Sequence, residues 1–110
     1  MIDIVLQAIA EPRRREILRL IQHTELSSGE IANRFDVTRP AISQHLQVLT
    51  DAGLVTVRRE GTRRLYRARP DGLAELRSFL DEFWTNRLQI LKEEAEFEER
   101  RAREGDISRN

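Results

Sequence analysis

Residues 38–69 read TRPAISQHLQVLTDAGLVTVRREGTRRLYRAR, and the apolar spacing changes character part-way through. Ile42, Leu46 and Leu49 recur at helical spacing, with Ala41, His45 and Val48 beside them. Thr38 is placed to cap this helix, Pro40 is tolerated in its first turn, and Gly53 supplies a stop after Ala52. From Leu54 to Arg59 the pattern alternates with period two, the spacing of a strand. Glu60-Gly61-Thr62 makes a turn, and Arg63 to Arg69 returns as a second strand around Leu65 and Tyr66. A β-hairpin therefore follows the helix directly.

The polar residues of this stretch carry chemistry. Opposite the apolar face the helix shows Arg39, Ser43, Gln44, Gln47 and Thr50, with no acid before Asp51. That is unusual for a solvent face in a chain with 35% charged residues. A helix entering the DNA major groove needs such a face: acids would repel phosphates, Gln pairs with adenine, Ser bonds either way and Arg reads guanine. Its N-terminus, with Thr38, Arg39 and Pro40, is also a natural phosphate site. The hairpin carries Arg58, Arg59, Arg63, Arg64, Arg67 and Arg69, with Glu60 as its only acid. On paired strands these cations repel one another unless they meet an anion such as a DNA backbone. The hairpin is expected to add affinity and salt dependence rather than sequence choice, most strongly through Arg63 and Arg64, while Arg67 and Arg69 can instead pair within the fold. The alternative is a solvated hairpin balanced by acids from the last helix.

Upstream, residues 2–9 form a short, mostly apolar helix that needs a partner surface. Pro12 opens a second helix whose buried side is Ile17, Leu18, Leu20 and Ile21. A third begins at Leu26-Ser27-Ser28-Gly29-Glu30, where Ser27 and Glu30 make a capping box. It carries Ile31, Ala32 and Phe35 and stops at Asp36-Val37. Downstream, residues 71–104 are helical, with Leu73, Leu76, Leu80, Phe83, Trp84, Leu88 and Leu91 at three-to-four spacing. Beyond Leu91 the sequence is almost wholly charged, and Gly105 to Asn110 is expected to fray. The order is α-α-α-α-β-β-α, mainly α with a small β-hairpin, which is the layout of a winged helix-turn-helix.

Composition sets the bounds. The 110 residues suit one domain, and 39% are hydrophobic, enough for one modest core. Net charge is zero, but residues 1–71 hold 12 Arg against 9 acids while residues 72–110 hold 7 cations against 10 acids. Local fields follow that segregation more than the sum. Only Lys92 is a lysine, and Arg has the forked donors suited to phosphate and guanine; a genome rich in G and C would give the same bias. There is no cysteine, which removes disulfides and thiolate metal sites. No apolar run approaches the roughly 20 residues of a membrane helix, and a cytoplasmic location is the expectation.

The stretches AEPRRREILRLI and LSSGEIANRFDVTRPAISQHLQVLTDAGLVTVRREGTRRLYRA resemble the ArsR/SmtB family of winged-helix repressors over roughly residues 5–91. The RPAISQHLQVL helix, the DAGLV junction and the RREGTRRLYR hairpin carry most of the likeness. The resemblance implies a homodimer that binds an inverted repeat in double-stranded promoter DNA and blocks transcription. Its recognition helix maps onto residues 38–50 and its wing onto 58–67. It also implies dimerisation through the first and last helices, here Ile2, Val5, Leu6 and Ile9 with Leu76, Leu80, Phe83, Trp84, Leu88 and Leu91. Residues 1–91 would then be one domain, and 92–110 a charged helical extension with a frayed tail.

Two departures from the family pattern bear on regulation. Many members carry a cysteine pair in the third helix, where this chain has Leu26-Ser27-Ser28-Gly29. Others bind metal through Asp and His on the last helix, and here that helix has no His. Transition metals need grouped thiolate or imidazole ligands, so no metal site or other cofactor is expected. His45 reads as a structural hydrogen-bonder, and His23 lies near a helix C-terminus, where a cation is favourable. A further departure is Asp36, in a turn where members often have Gly; Asp tolerates a left-handed backbone there. No nucleophile–base pair or glycine-rich phosphate loop is present, so no catalysis is expected. Response to an organic ligand or partner protein, and a winged-helix protein-interaction module, stay open as alternatives. The acid-free helix face favours DNA over the latter.

Overall fold

The computed structural model describes the backbone of residues 2–108 and the side chains of residues 2–103. Its elements are α1 (Ile2–Ala10), α2 (Pro12–Leu20), β1 (Leu26–Ser27), α3 (Ser28–Ala32), α4 (Arg39–Asp51), β2 (Val55–Glu60), β3 (Arg63–Ala68) and α5 (Ala74–Ser108). The chain divides into two compact units, Met1–Leu76 and Arg77–Asn110.

In the first unit, helix boundaries follow from local chemistry. Thr38 Oγ1 accepts from the Ala41 N–H at 3.3 Å and starts α4. At its other end, Leu54 N donates to Leu49 O (2.9 Å) and Gly53 N to Thr50 O (3.0 Å). That is a Schellman closure, and Gly53 supplies the positive φ of 76° it requires. Ser27 and Glu30 form the expected capping box at α3. The last carbonyls of α1 have a different solution, because two arginines of α2 reach back to them. Arg14 donates to Ala8 O (2.6 Å) and Gln7 O (3.1 Å), and Arg15 to Ile9 O (2.7 Å) and Ala10 O (3.2 Å). Arg14 and Arg15 are thus caps that satisfy otherwise orphaned acceptors.

One core serves this unit. Val5 and Ala8, Ile17 and Ile21, Leu26, Ile31, the α4 trio Ile42, Leu46 and Leu49, and Leu54 with Val55 are all buried in it. Each of the α4 trio is at most 1% exposed, and full burial of such a side chain contributes about 1.5–3 kcal/mol. These three residues therefore fix which side of α4 faces outward.

The structure corrects several expectations. The sheet has three antiparallel strands in the order β1-β3-β2, because Leu26 and Ser27 pair with Tyr66 and Leu65. The sequence reading gives only a hairpin. Helix α3 ends at Ala32 rather than near Phe35. Among the described residues no non-glycine has a positive φ, so the turn at Asp36 needs no left-handed backbone. Val48 is exposed rather than packed beside the α4 stripe. Val5 is buried in the core, and Ile9 and Leu76 pack against it. Of the residues expected at a subunit contact, Val5 has too little surface left to serve as one.

The second unit consists of the rest of α5, which continues to Ser108, past the point where the sequence predicts fraying; the last two residues of that predicted tail lie outside the described residues. It carries Phe79, Leu80, Phe83, Trp84, Leu88, Ile90 and Leu91 exposed. Gln89 hydrogen-bonds Glu93 one turn on, and farther on the surface is mostly charged apart from the exposed Phe97, with a Glu99–Arg103 ion pair across one turn.

Candidate nucleic-acid interface

With Ile42, Leu46 and Leu49 turned inward, α4 presents Arg39, Pro40, Ser43, Gln44 and Gln47 to solvent, and Thr38 is exposed at its cap. Gln47 Nε2 donates to Asp51 Oδ1 at 2.8 Å, one turn on. The Thr50 hydroxyl is occupied with the Leu46 carbonyl at 2.7 Å, which leaves it less free for a base than its neighbours.

His45 lies on the flank of α4, half-buried. Its Nδ1 is 3.5 Å from Arg14 Nη1, so the arginine that caps α1 also touches this helix. Burial, and then the Arg14 charge, push the His45 imidazole below its ordinary range, with Glu11 opposing and Arg13 adding to the effect. The ring serves as a packing and hydrogen-bonding element.

The wing sorts its arginines by face. Residues directly opposite in an antiparallel pair share a side. The register Arg58↔Leu65 and Glu60↔Arg63 puts Arg58, Glu60, Arg63, Leu65 and Arg67 on one face. Arg59↔Arg64 falls on the other, in line with the core residue Val55 and with Tyr66 and Ala68, which pack against the core. On the first face Arg58 and Arg63 are paired, whereas Arg67 is not. Arg58 Nε donates to Glu25 Oε2 at 2.7 Å and Nη2 to Glu60 Oε2 at 3.0 Å. Arg63 forms an ion pair with Glu30, the capping-box acid. The hydrogen bond from Arg58 holds the Glu25 carboxyl below the usual carboxylate range. Glu30 is held low first by the Ser27 backbone N–H and hydroxyl, and then by Arg63.

Arg59 and Arg64 differ. They stand directly opposite one another at the exposed end of the hairpin. Among the described residues no carboxylate lies within ion-pair distance of either, nor of Arg67. Like charges so placed destabilise a strand pair. Arg69 reaches Asp71 only at 3.8 Å.

The start of α4 and the wing converge on the first turn of α3. The Arg39 guanidinium carbon is 3.7 Å from where a β-carbon would sit on Gly29, and the next residue, Glu30, holds Arg63. The start of α4 and Arg63 thus meet at α3, while the rest of the exposed α4 face has no acid before Asp51 and the hairpin carries an unneutralised arginine pair. These features fit a polyanion with readable edges. Sequence reasoning missed Glu25 and Glu30 as wing partners. Glu30 had a visible signal as a capping acid, but nothing local marks its second bond. Among the described residues no group of three or more His, Cys, Asp or Glu side chains is placed to hold a metal ion, and no helix is long and apolar enough to cross a membrane.

Residues 9–58 match the family model described as a helix-turn-helix domain. The chain is 51% identical over 82 residues to the HTH-type transcriptional regulator Rv2034 of Mycobacterium tuberculosis, a match covering 74% of this chain and 77% of that protein. Among solved structures it resembles the ArsR-like transcriptional regulator from Rhodococcus sp. RHA1, with a TM-score of 0.73, 32% identity, and coverage of 86% of this chain and 89% of that one. It also resembles the homodimeric winged helix-turn-helix DNA-binding domain Mb0332 from Mycobacterium bovis, with a TM-score of 0.63, 33% identity, and coverage of 76% and 78%.

Proposed function

Since the chain belongs to the ArsR family of winged helix-turn-helix transcriptional regulators, we propose that it acts as a homodimeric repressor on an inverted repeat in promoter DNA. One observation carries this assignment: burial of Ile42, Leu46 and Leu49 leaves α4 an exposed face with no acid before Asp51, and the hairpin that follows it directly holds the unneutralised Arg59–Arg64 pair. Ser43, Gln44 and Gln47 read base edges in the major groove, and Arg39 reads a base or a phosphate beside the cap of Thr38 and Pro40. Arg59, Arg64 and Arg67 contact the backbone, while Arg58 and Arg63 reach it only by exchanging Glu25 and Glu30 for phosphate. The exposed stripe Leu80, Phe83, Trp84, Leu88 and Leu91 joins two copies, with Ile2 and Leu6 contributing from α1. An apolar patch of this length is costly in water and marks an association surface.

The DNA-binding module spans residues 1–91, and 92–110 is a solvated extension. The protein works in the cytoplasm without catalysis. Metal is not its effector, because α5 has no histidine and the chain no cysteine. A footprint on DNA upstream of its own gene, over a salt series, tests the assignment. The expected result is a protected inverted repeat with half-sites one or more helical turns apart. Protection no stronger than on random DNA would overturn it, and specific release by zinc would overturn the metal-independent part.

A further inference from the structure

A cavity of about 510 Å³ opens in the first unit between α2, the inner end of the hairpin and the turn that precedes α5. Leu18, Leu54, Ala68 and Leu73 give it an apolar floor, and Leu73 is 40% exposed there. Arg15, Arg19 and Arg69 stand around it with Gln22 and His23, and no carboxylate is among its lining residues. Arg15 is held in place by its bonds to the α1 carbonyls. Among the described residues no acid is within ion-pair distance of Arg19, and Arg69 has only the long contact to Asp71.

We propose that this groove binds a small organic acid with an apolar body. An apolar floor favours a ligand that displaces water from it. Three guanidinium groups around that floor favour an anion, with forked donors that match a carboxylate. A neutral apolar molecule leaves the cations unmatched, a bare inorganic anion leaves the floor wet, and a cationic amphiphile is repelled. The cavity is in the size range of small-molecule sites.

The position suggests a consequence for regulation. Leu54 closes the α4 Schellman motif, and Ala68 hydrogen-bonds the end of α2 at 3.0 Å. An occupant therefore touches the residues that seat both α4 and the wing, and we infer that it weakens DNA binding. That effect rests on the repressor function proposed above, whereas the binding itself does not.

Isothermal titration of the full chain with octanoate, octanol and inorganic phosphate tests the site. Octanoate is expected to bind saturably at one site per chain, with octanol at least about tenfold weaker, the loss expected when a charge-assisted bidentate contact is absent. Phosphate alone is expected not to saturate. Arg19→Gln, an exposed change that spares the core, is expected to weaken octanoate about fivefold or more and to make a DNA complex correspondingly resistant to it. Absent octanoate uptake, as when a second subunit already covers the groove, overturns the site. So does equal affinity for octanol, or unchanged affinity in Arg19→Gln. Saturable octanoate binding by a chain that gives no footprint would leave this site standing and remove only the repressor assignment.

Discussion

At the scale of single residues, two glycines predict opposite outcomes. A β-carbon on Gly72 would lie 2.7 Å from the Gly53 carbonyl oxygen and 3.1 Å from Leu54 Cα. Both neighbours are backbone, and Gly53 and Leu54 are fixed by the closure of α4. Gly72→Ala is therefore expected to destabilise by about 1–3 kcal/mol, as overpacking against an unyielding wall does. On Gly29, in the first turn of α3, a β-carbon meets only the flexible Arg39 side chain at 3.7 Å. Gly29→Ala should be neutral or stabilise by up to about 1 kcal/mol. Urea denaturation of both variants checks the pair, and a loss at Gly29 larger than at Gly72 would contradict it. His45 predicts a pH dependence. Its proton is bound less readily in the folded chain than in the unfolded one, so stability is whole above the ordinary value of 6.5 and falls as acid drives the proton on. The fall in urea midpoint between pH 7 and about pH 5.5 should be smaller in His45→Gln, which keeps an acceptor for Arg14. An identical fall in the variant would assign the effect elsewhere.

At the scale of elements, the helix and the hairpin were legible to different depths. Helix α4 could be read almost to the residue, because Thr38, Gly53 and the Ile42-Leu46-Leu49 spacing are all local signals. Strand β1 could not, since two residues have no periodicity and become a strand only by pairing with β3. The roles of the wing arginines were hidden for the same reason. Arg58 finds Glu25, and Arg63 finds Glu30, each across 33 positions of chain. From the sequence, the tip residues Arg63 and Arg64 look equivalent. The structure separates them, placing Arg64 against Arg59 and Arg63 against an acid. Arg59→Ala and Arg64→Ala are each expected to flatten the slope of log affinity against log salt by about 0.9, one phosphate contact apiece. Neither should lower the urea midpoint, because each removes a like-charge neighbour. Arg63→Ala should flatten the slope less and should loosen the start of α3. Fluorescence anisotropy over a salt series separates the variants, and equal slopes for Arg63→Ala and Arg64→Ala would contradict the sorting by face.

At the scale of the whole molecule, zero net charge conceals a basic first part and an acidic second one. The basic part holds the proposed DNA surface, and the acidic part carries the exposed apolar stripe of α5. Leu80 is 50% exposed and Leu88 60%, so replacing either with Glu sacrifices no core contact within the chain. Leu80→Glu with Leu88→Glu is expected to give a folded monomer in sedimentation equilibrium. Its affinity for a two-half-site operator should fall by at least about a hundredfold, because the second half-site contact is no longer intramolecular. A variant that stays dimeric would move the subunit contact away from this stripe.

The two-residue strand β1 has a bearing on how quickly and tightly DNA can be engaged. It ties β3 to the root of α3; the Arg63–Glu30 bridge does so again from the side chains, and the Arg58–Glu25 bridge ties β2 to the residue before β1. A free two-stranded ribbon is marginal in water and would have to be immobilised at each encounter with a duplex. Here that ordering entropy is lost when the chain folds. The wing is preorganised, so less of the contact free energy is offset when the complex forms.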